Sequence, residues 1–176
     1  MKIFQNKLLL IGVVCAAPFV LGTLAYFYRW TPGEGGSYGE LIAPPRALSG
    51  PPFERLRGKW LLVAFDASAC DVYCEKKLYF MRQVRRAQGP DMERVERLWV
   101  LTDAGAPRRE LLQAIAGTQV VHPRDASFMK SLAGNPVEHI YVVDPLGNLM
   151  MRYPRDPDPS KMLKDLQRLL KYSRIG

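Results

Sequence analysis

Apolar residues follow three patterns along the chain, and each pattern predicts a different kind of element. From Leu8 to Tyr28 there are 21 residues without a charge (LLLIGVVCAAPFVLGTLAYFY). At a rise of about 1.5 Å per residue, about 20 residues cross a hydrocarbon core some 30 Å thick, so the stretch has the length of a membrane span. Lys2 and Lys7 precede it, Arg29 follows it, and Tyr26, Tyr28 and Trp30 stand at its outer end. The excess of basic residues before the run predicts a cytoplasmic amino terminus over residues 1–7, with the bulk of the chain outside. The run exceeds a usual secretory h-region and has no small-x-small cleavage site at its end, which favours an uncleaved anchor over 8–28. Pro18 lies inside it, where a span tolerates a kink.

Residues 29–55 lose this character. The segments TPGEGGSYGE and APPRALSGPP are rich in Gly and Pro, a composition that buries little and predicts a tether. The domain is then expected over 56–176.

Within that domain the apolar positions alternate between short continuous runs and helical stripes. Lys59–Phe65 (KWLLVAF) has the length and character of a strand buried on both faces. Cys70–Gln88 reads as a helix with Val72, Leu78, Met81 and Val84 as its apolar stripe, stopped by Gly89-Pro90. Arg97–Thr102 is a second strand, Pro107–Ala116 a helix opened by its proline, Gln119–His122 a short strand and Ala126–Leu132 a short helix. His139–Val143 and Asn148–Tyr153 flank Asp144-Pro145-Leu146-Gly147 as a hairpin. Pro159–Tyr172 is an amphipathic helix, with Met162, Leu163, Leu166, Leu169 and Leu170 on one face and Lys161, Lys164, Arg168 and Lys171 on the other. The order β-α-β-α-β-α-β-β-α predicts an α/β, thioredoxin-like three-layer sandwich behind one N-terminal transmembrane helix.

Composition narrows the function. The formal charge is +8, of which +5 belongs to residues 31–176, scattered rather than massed. No basic stripe with interleaved aromatics or nucleic-acid motif is present, so the excess reads as a solvated face near anionic lipid. The sequence contains no G-x-S-x-G elbow, phosphate loop or dinucleotide fingerprint.

The chemistry-bearing feature is Cys70-Asp71-Val72-Tyr73-Cys74. On a helix, positions i and i+4 share a face about 6 Å apart along the axis, close to the Cα separation a disulfide takes. The same spacing lets two thiolates meet one soft metal ion. A helix start and the neighbouring Lys76 and Lys77 favour a thiolate at Cys70, and Asp71 and Glu75 oppose it. A bridge closing so short a loop is a weak staple, which points to a reactive or metal-binding pair. Cys15 lies in the apolar run and reads as a small hydrophobe. His139, at the start of the hairpin's first strand, is the candidate third donor for copper. His122 reads as a loop residue that nothing brings to the thiols.

Gly58-Lys59-Trp60, the following apolar strand with Phe65, and Cys70-x-x-x-Cys74 resemble the opening of the Sco/SenC family. WVLTD followed by APRRELLQ resembles that family's strand, acidic loop and Pro-led helix, and Val137-Glu138-His139 with YVVDPLGNL resembles its histidine and Asp-Pro-x-Gly stretch. The resemblance covers about residues 58–172. It implies a thioredoxin-like domain anchored in a bacterial inner membrane and facing the periplasm. It also implies delivery of copper during cytochrome c oxidase assembly, with Cys70, Cys74 and His139 as ligands and a respiratory oxidase subunit or assembly factor as partner. Two departures stand out: no proline follows Cys70, and His139 sits about three residues closer to the Asp-Pro-x-Gly turn than the family's ligand. An odd shift along a strand turns a side chain to the other face.

Three functions follow. The first is a copper-handling factor for the oxidase. The second is a thiol-disulfide oxidoreductase that keeps oxidase metal-site cysteines reduced, with Cys70 and Cys74 as its catalytic thiols. The third is an assembly scaffold without chemistry.

Overall fold

The structure, a computed structural model, describes residues 2–27, 36–122, 132 and 134–175. It divides into two compact units, Met1–Gly36 and Ser37–Gly176. The first unit contains helix α1 (Lys2–Phe27), with Pro18 inside it. Among the described residues no helix is long and apolar enough to cross a membrane. The described side chains of α1 are continuous only over 10–25, and the expected span over 8–28 reaches past them at both ends. Residues 28–35, which hold Tyr28, Trp30 and half of the Gly-rich part of the expected tether, lie outside the described residues.

The second unit starts well before residue 56. Glu40–Ala47 forms strand β1, and Pro51–Arg55 forms the short helix α2. Composition alone made this stretch a spacer, yet β1 pairs antiparallel with β6 (Asn148–Arg152), interrupted by a register shift between Leu41 and Arg46. That shift spans Pro44 and Pro45, which donate no backbone hydrogen bond and so fit only at a sheet edge or bulge.

The rest follows the expected order. Strand β2 (Trp60–Asp66) leads to helix α3 (Val72–Arg86), strand β3 (Val95–Leu101), helix α4 (Arg109–Ala114) and strand β4 (Gln119–Val121). Strand β5 (Ile140–Val143), β6 and helix α5 (Pro159–Tyr172) complete it. The expected helix over 126–132 lies outside the described residues except for Leu132. The sheet has six strands in the order β1-β6-β5-β2-β3-β4. β2, β3 and β4 run parallel, and β5, β6 and β1 join antiparallel. The result is an α/β fold of the thioredoxin-like type with a mixed sheet.

The pleat sorts side chains into two cores. Trp60, Leu62 and Ala64 of β2, Val95, Trp99 and Leu101 of β3, and Ile140 and Val142 of β5 pack with α3 and α5. Leu61, Val63, Phe65, Leu98, Val100, Tyr141 and Val143 pack on the opposite face with Leu48, Phe53 and Leu132. β2 is buried along Trp60–Phe65 because both faces are covered, each large side chain contributing about 1.5–3 kcal/mol. A register shift between Val142 and Val143 sends Leu149 and Met151 to opposite cores although they are two apart. The hairpin turn closes as expected, with the Gly147 N–H donating to the Asp144 carbonyl and Gly147 at φ +91°.

Candidate functional site

The loop from β2 into α3 carries the cysteines. The Cys70 N–H donates to the Ala67 carbonyl, and Cys70 itself has φ +43°, in the left-handed region that a residue with a Cβ rarely enters. Holding it there costs about 1–2 kcal/mol, a strain of the kind found at functional turns. Asp71 caps α3: its carboxylate accepts from the Cys74 N–H at 2.8 Å, satisfying one of the helix's orphan donors. Cys70 therefore stands just outside the helix and Cys74 in its first turn. They are joined by a disulfide with a Cα separation of 5.2 Å.

The sulfurs are together, but they are covered. Cys70 is 3% exposed and Cys74 0%, and both belong to the core beneath α3. A reactive or metal-binding pair, as the sequence predicts, would be reached more easily from an exposed site. The left-handed turn instead packs both cysteines into the core and leaves Val72, expected in the apolar stripe, 85% exposed beside them.

The loop between β3 and α4 is fastened beside the cysteines at two points. Asp103 accepts from the Ser68 N–H and hydroxyl, both at 3.0 Å. These bonds hold its carboxyl below the ordinary carboxylate range, so the contact is complete above that range and weakens as pH falls through the lowered value. At the other end Arg108 donates to the Cys70 carbonyl at 3.4 Å and pairs with the Glu75 carboxylate. Arg108 and Glu75 are about half exposed, so the pair contributes little stability, and its link to the Cys70 carbonyl is its main physical consequence. Arg108→Ala is expected to speed reduction of the disulfide by dithiothreitol about three- to tenfold, with folding stability changed by less than about 1 kcal/mol. Stopped-flow reduction alongside urea melts checks both.

Behind the disulfide lies a buried charge pair. Lys77 is 1% exposed, and its ammonium sits 2.6 Å from Asp66 at the end of β2. It also donates to the carbonyls of Phe65 and Val137 and lies 5.1 Å from the centre of the Tyr73 ring. Burial raises the Asp66 pKa, and the adjoining ammonium opposes that rise. The sequence showed Lys77 only as one of two lysines near the thiols. Its burial could have been noticed from its place on the same helical stripe as Cys74, Leu78 and Met81. Asp103 and Arg108, which fasten the neighbouring loop, left no such signal.

His139 is placed elsewhere. Its extended backbone continues the alternation of β5, and its ring lies edge-on to Tyr141, 6.0 Å between centres, with Nδ1 2.8 Å from the Tyr153 carbonyl. Tyr141 belongs to the core opposite the cysteines, whereas Ile140, between the two residues, packs on their side. The strand's two-residue period thus turns the imidazole away from the sulfurs. Among the described residues no group of three or more His, Cys, Asp or Glu is placed to hold a metal ion. The expected set of Cys70, Cys74 and His139 is not assembled here. His122 meets the Asp103 carbonyl at 3.2 Å.

Residues 60–173 match the family described as transmembrane-like, thioredoxin-like, C-terminal domain, and the chain belongs to that family. Among solved structures it is similar to apo Sco1 from Thermus thermophilus, at 19% identity and a TM-score of 0.55, covering 79% of this chain and 98% of that one. It is also similar to copper-bound ScoI from Bradyrhizobium japonicum (20% identity, TM-score 0.52, 66% of this chain and 88% of that one). Copper-bound yeast Sco1 is similar at 16% identity and a TM-score of 0.55, covering 69% and 84%. At these identities the likeness is one of fold. No curated protein matches the chain.

Proposed function

We propose that this member of the transmembrane-like, thioredoxin-like family is a thiol-disulfide exchange protein that keeps the metal-site cysteines of a respiratory oxidase subunit reduced. Residues 8–28 hold it in a bacterial inner membrane with the domain facing the periplasm. The described side chains of α1 support the anchor: Leu10, Ile11, Val13, Val14, Phe19, Val20, Leu21 and Leu24 are all exposed, a helix without a polar face to turn to water.

The observation that carries the exchange reading is the Cys70–Cys74 disulfide itself, closing a short loop through a left-handed turn. In the reduced protein the Cys70 thiolate, nearer the surface, attacks a partner disulfide and forms a mixed disulfide while the partner's other sulfur leaves as thiolate. The Cys74 thiolate then attacks the Cys70 sulfur, which releases the second partner thiolate and closes the Cys70–Cys74 bond. Two electrons pass to the partner, and an upstream dithiol protein returns the pair to its reduced form.

Equilibration in glutathione redox buffers tests this. The expected midpoint lies above about −300 mV; a lower value would place the bridge among structural disulfides and remove the reading.

Copper handling is the second reading, and the paired sulfurs favour it, since two thiolates suit Cu(I). Copper would be cargo here. No transfer step is drawn through a three-donor set with His139, whose ring packs on Tyr141. His139→Ala is accordingly expected to leave exchange within about twofold of the parent rate, because the imidazole is turned from the sulfurs. A tenfold loss in the same exchange assay would restore His139 to the site.

A further inference from the structure

Arg97 stands where the pattern of β3 calls for a hydrophobe. It lies two residues from Val95 and two from Trp99, and both of those pack in the core beneath α3. A strand's two-residue period sends its side chain to the same face. Arg97 is 3% exposed there, and its Nη2 donates to the Ala116 carbonyl at 2.8 Å, just past the end of α4. Its Nε and Nη1 are buried and meet no acceptor among the described residues, and the buried Thr118 hydroxyl has no partner either. The two residues are neighbours by register: β3 and β4 run parallel with Leu98 beside Gln119, one position further along each chain segment.

A buried guanidinium with idle N–H groups is unfavourable and calls for an acceptor. The charge around it decides between water and an anion. From α3, Arg82 donates to the Ala114 carbonyl and Arg85 to the Val95 carbonyl, so neither is turned to an acid by those bonds. Glu96 and Glu93 oppose the positive field, but both approach Arg85, at 3.8 and 3.9 Å, and neither pairs with Arg97. Burial and the fields of Arg85, Arg82 and Arg86 pull the Arg97 pKa down to about 10, with Glu96 opposing, so the group stays charged at neutral pH. A water would satisfy a hydrogen bond and leave the excess of positive charge in place. An oxyanion answers both, because guanidinium and hydroxyl hydrogens donate to its oxygens while its charge offsets the arginines.

We propose that Arg97 and Thr118 bind a small tetrahedral oxyanion such as inorganic phosphate, beneath the turn between α4 and β4. The idle atoms are enclosed, so entry requires the wall to part. Its movable pieces are the partly buried Arg82 side chain and the exposed Ala116-Gly117 turn, where Gly117 has φ +82°. Enclosure also selects by size: a free anion is held, and a phosphate carrying an organic chain is not. The site is independent of the thiol chemistry.

Hydrogen exchange tests it on the full chain in phosphatidylcholine nanodiscs, with inorganic phosphate replacing chloride at constant ionic strength. The amides of residues 115–119 are expected to exchange about tenfold more slowly once phosphate stands at ten times its dissociation constant. Arg97→Met is expected to abolish the effect. Thr118→Val keeps the side chain's shape and removes only the hydroxyl, and is expected to weaken phosphate binding about three- to tenfold. Unchanged exchange in β5 reports that each variant is folded, and Thr118→Val decides the matter if Arg97→Met does not fold. Exchange in the parent that is indifferent to phosphate overturns the proposal, and leaves water as the partner of Arg97. Slowing that is undiminished in Thr118→Val and in folded Arg97→Met also overturns it. So does glycerol 3-phosphate acting as strongly as inorganic phosphate, which would point to an open site for phosphomonoesters.

Discussion

Replacing Cys70 by Ser is expected to reduce thiol-disulfide exchange to the rate seen without protein, because a serine hydroxyl supplies no thiolate at neutral pH. Cys74→Ser should differ in kind. The attack by Cys70 survives while the resolving thiol is gone, so a covalent mixed disulfide with the substrate should accumulate and be visible by mass spectrometry. Each variant also loses the bridge, and chain entropy for so short a loop sets that loss at about 2 kcal/mol or less. A folded Cys70→Ser variant that still exchanges at the parent rate, or that fully restores oxidase assembly in a cell lacking the parent gene, would leave the scaffold role standing and remove the redox one.

The largest expected effect on stability comes from Lys77→Met. The substitution keeps much of the side chain's volume but removes an ammonium that meets Asp66 at 2.6 Å and the carbonyls of Phe65 and Val137. Breaking a buried pair from one side costs about 3 kcal/mol, because the remaining charge is stranded. The pH dependence has a definite sign. Burial already holds the folded Asp66 pKa above its ordinary value, so between the unfolded and folded values the native state binds more protons, and stability falls as pH rises through that window. Without the ammonium the folded value climbs further. The deficit of Lys77→Met should therefore be full near neutral pH and shrink as pH is lowered toward about 4. Adding Asp66→Asn removes the stranded charge and should recover part of the loss. Urea melts at several pH values check both statements, and a deficit independent of pH would mean that lost packing, not charge, is responsible.

Much of this architecture is written locally. The continuous apolar run of β2 could be read directly, since a strand covered on both faces needs no alternation. Helix α5 begins and ends where its stripe does, at Pro159 and Tyr172, and the hairpin follows from Asp-Pro-Leu-Gly with its left-handed glycine. Cys70 and Cys74 could be singled out because an i, i+4 spacing brings two sulfurs together however the rest of the chain packs.

What the local pattern does not contain is what lies opposite a residue. Pro44 and Pro45 made residues 29–55 look like a spacer, and only pairing with β6, about a hundred positions later, turns part of that stretch into a strand. The cysteine loop is tied to Asp103 and Arg108, some 35 residues further along, and Lys77 meets Asp66, Phe65 and Val137, which come from two other elements. His139 turns on parity: its type and its nearness to a strand start were visible, but the register of β5 against β2 decides the face it takes. The chain's own order thus determined which elements form and which two sulfurs meet. Tertiary packing decided which side chains accompany them and what shields them, because those contacts join residues that chain order leaves unrelated.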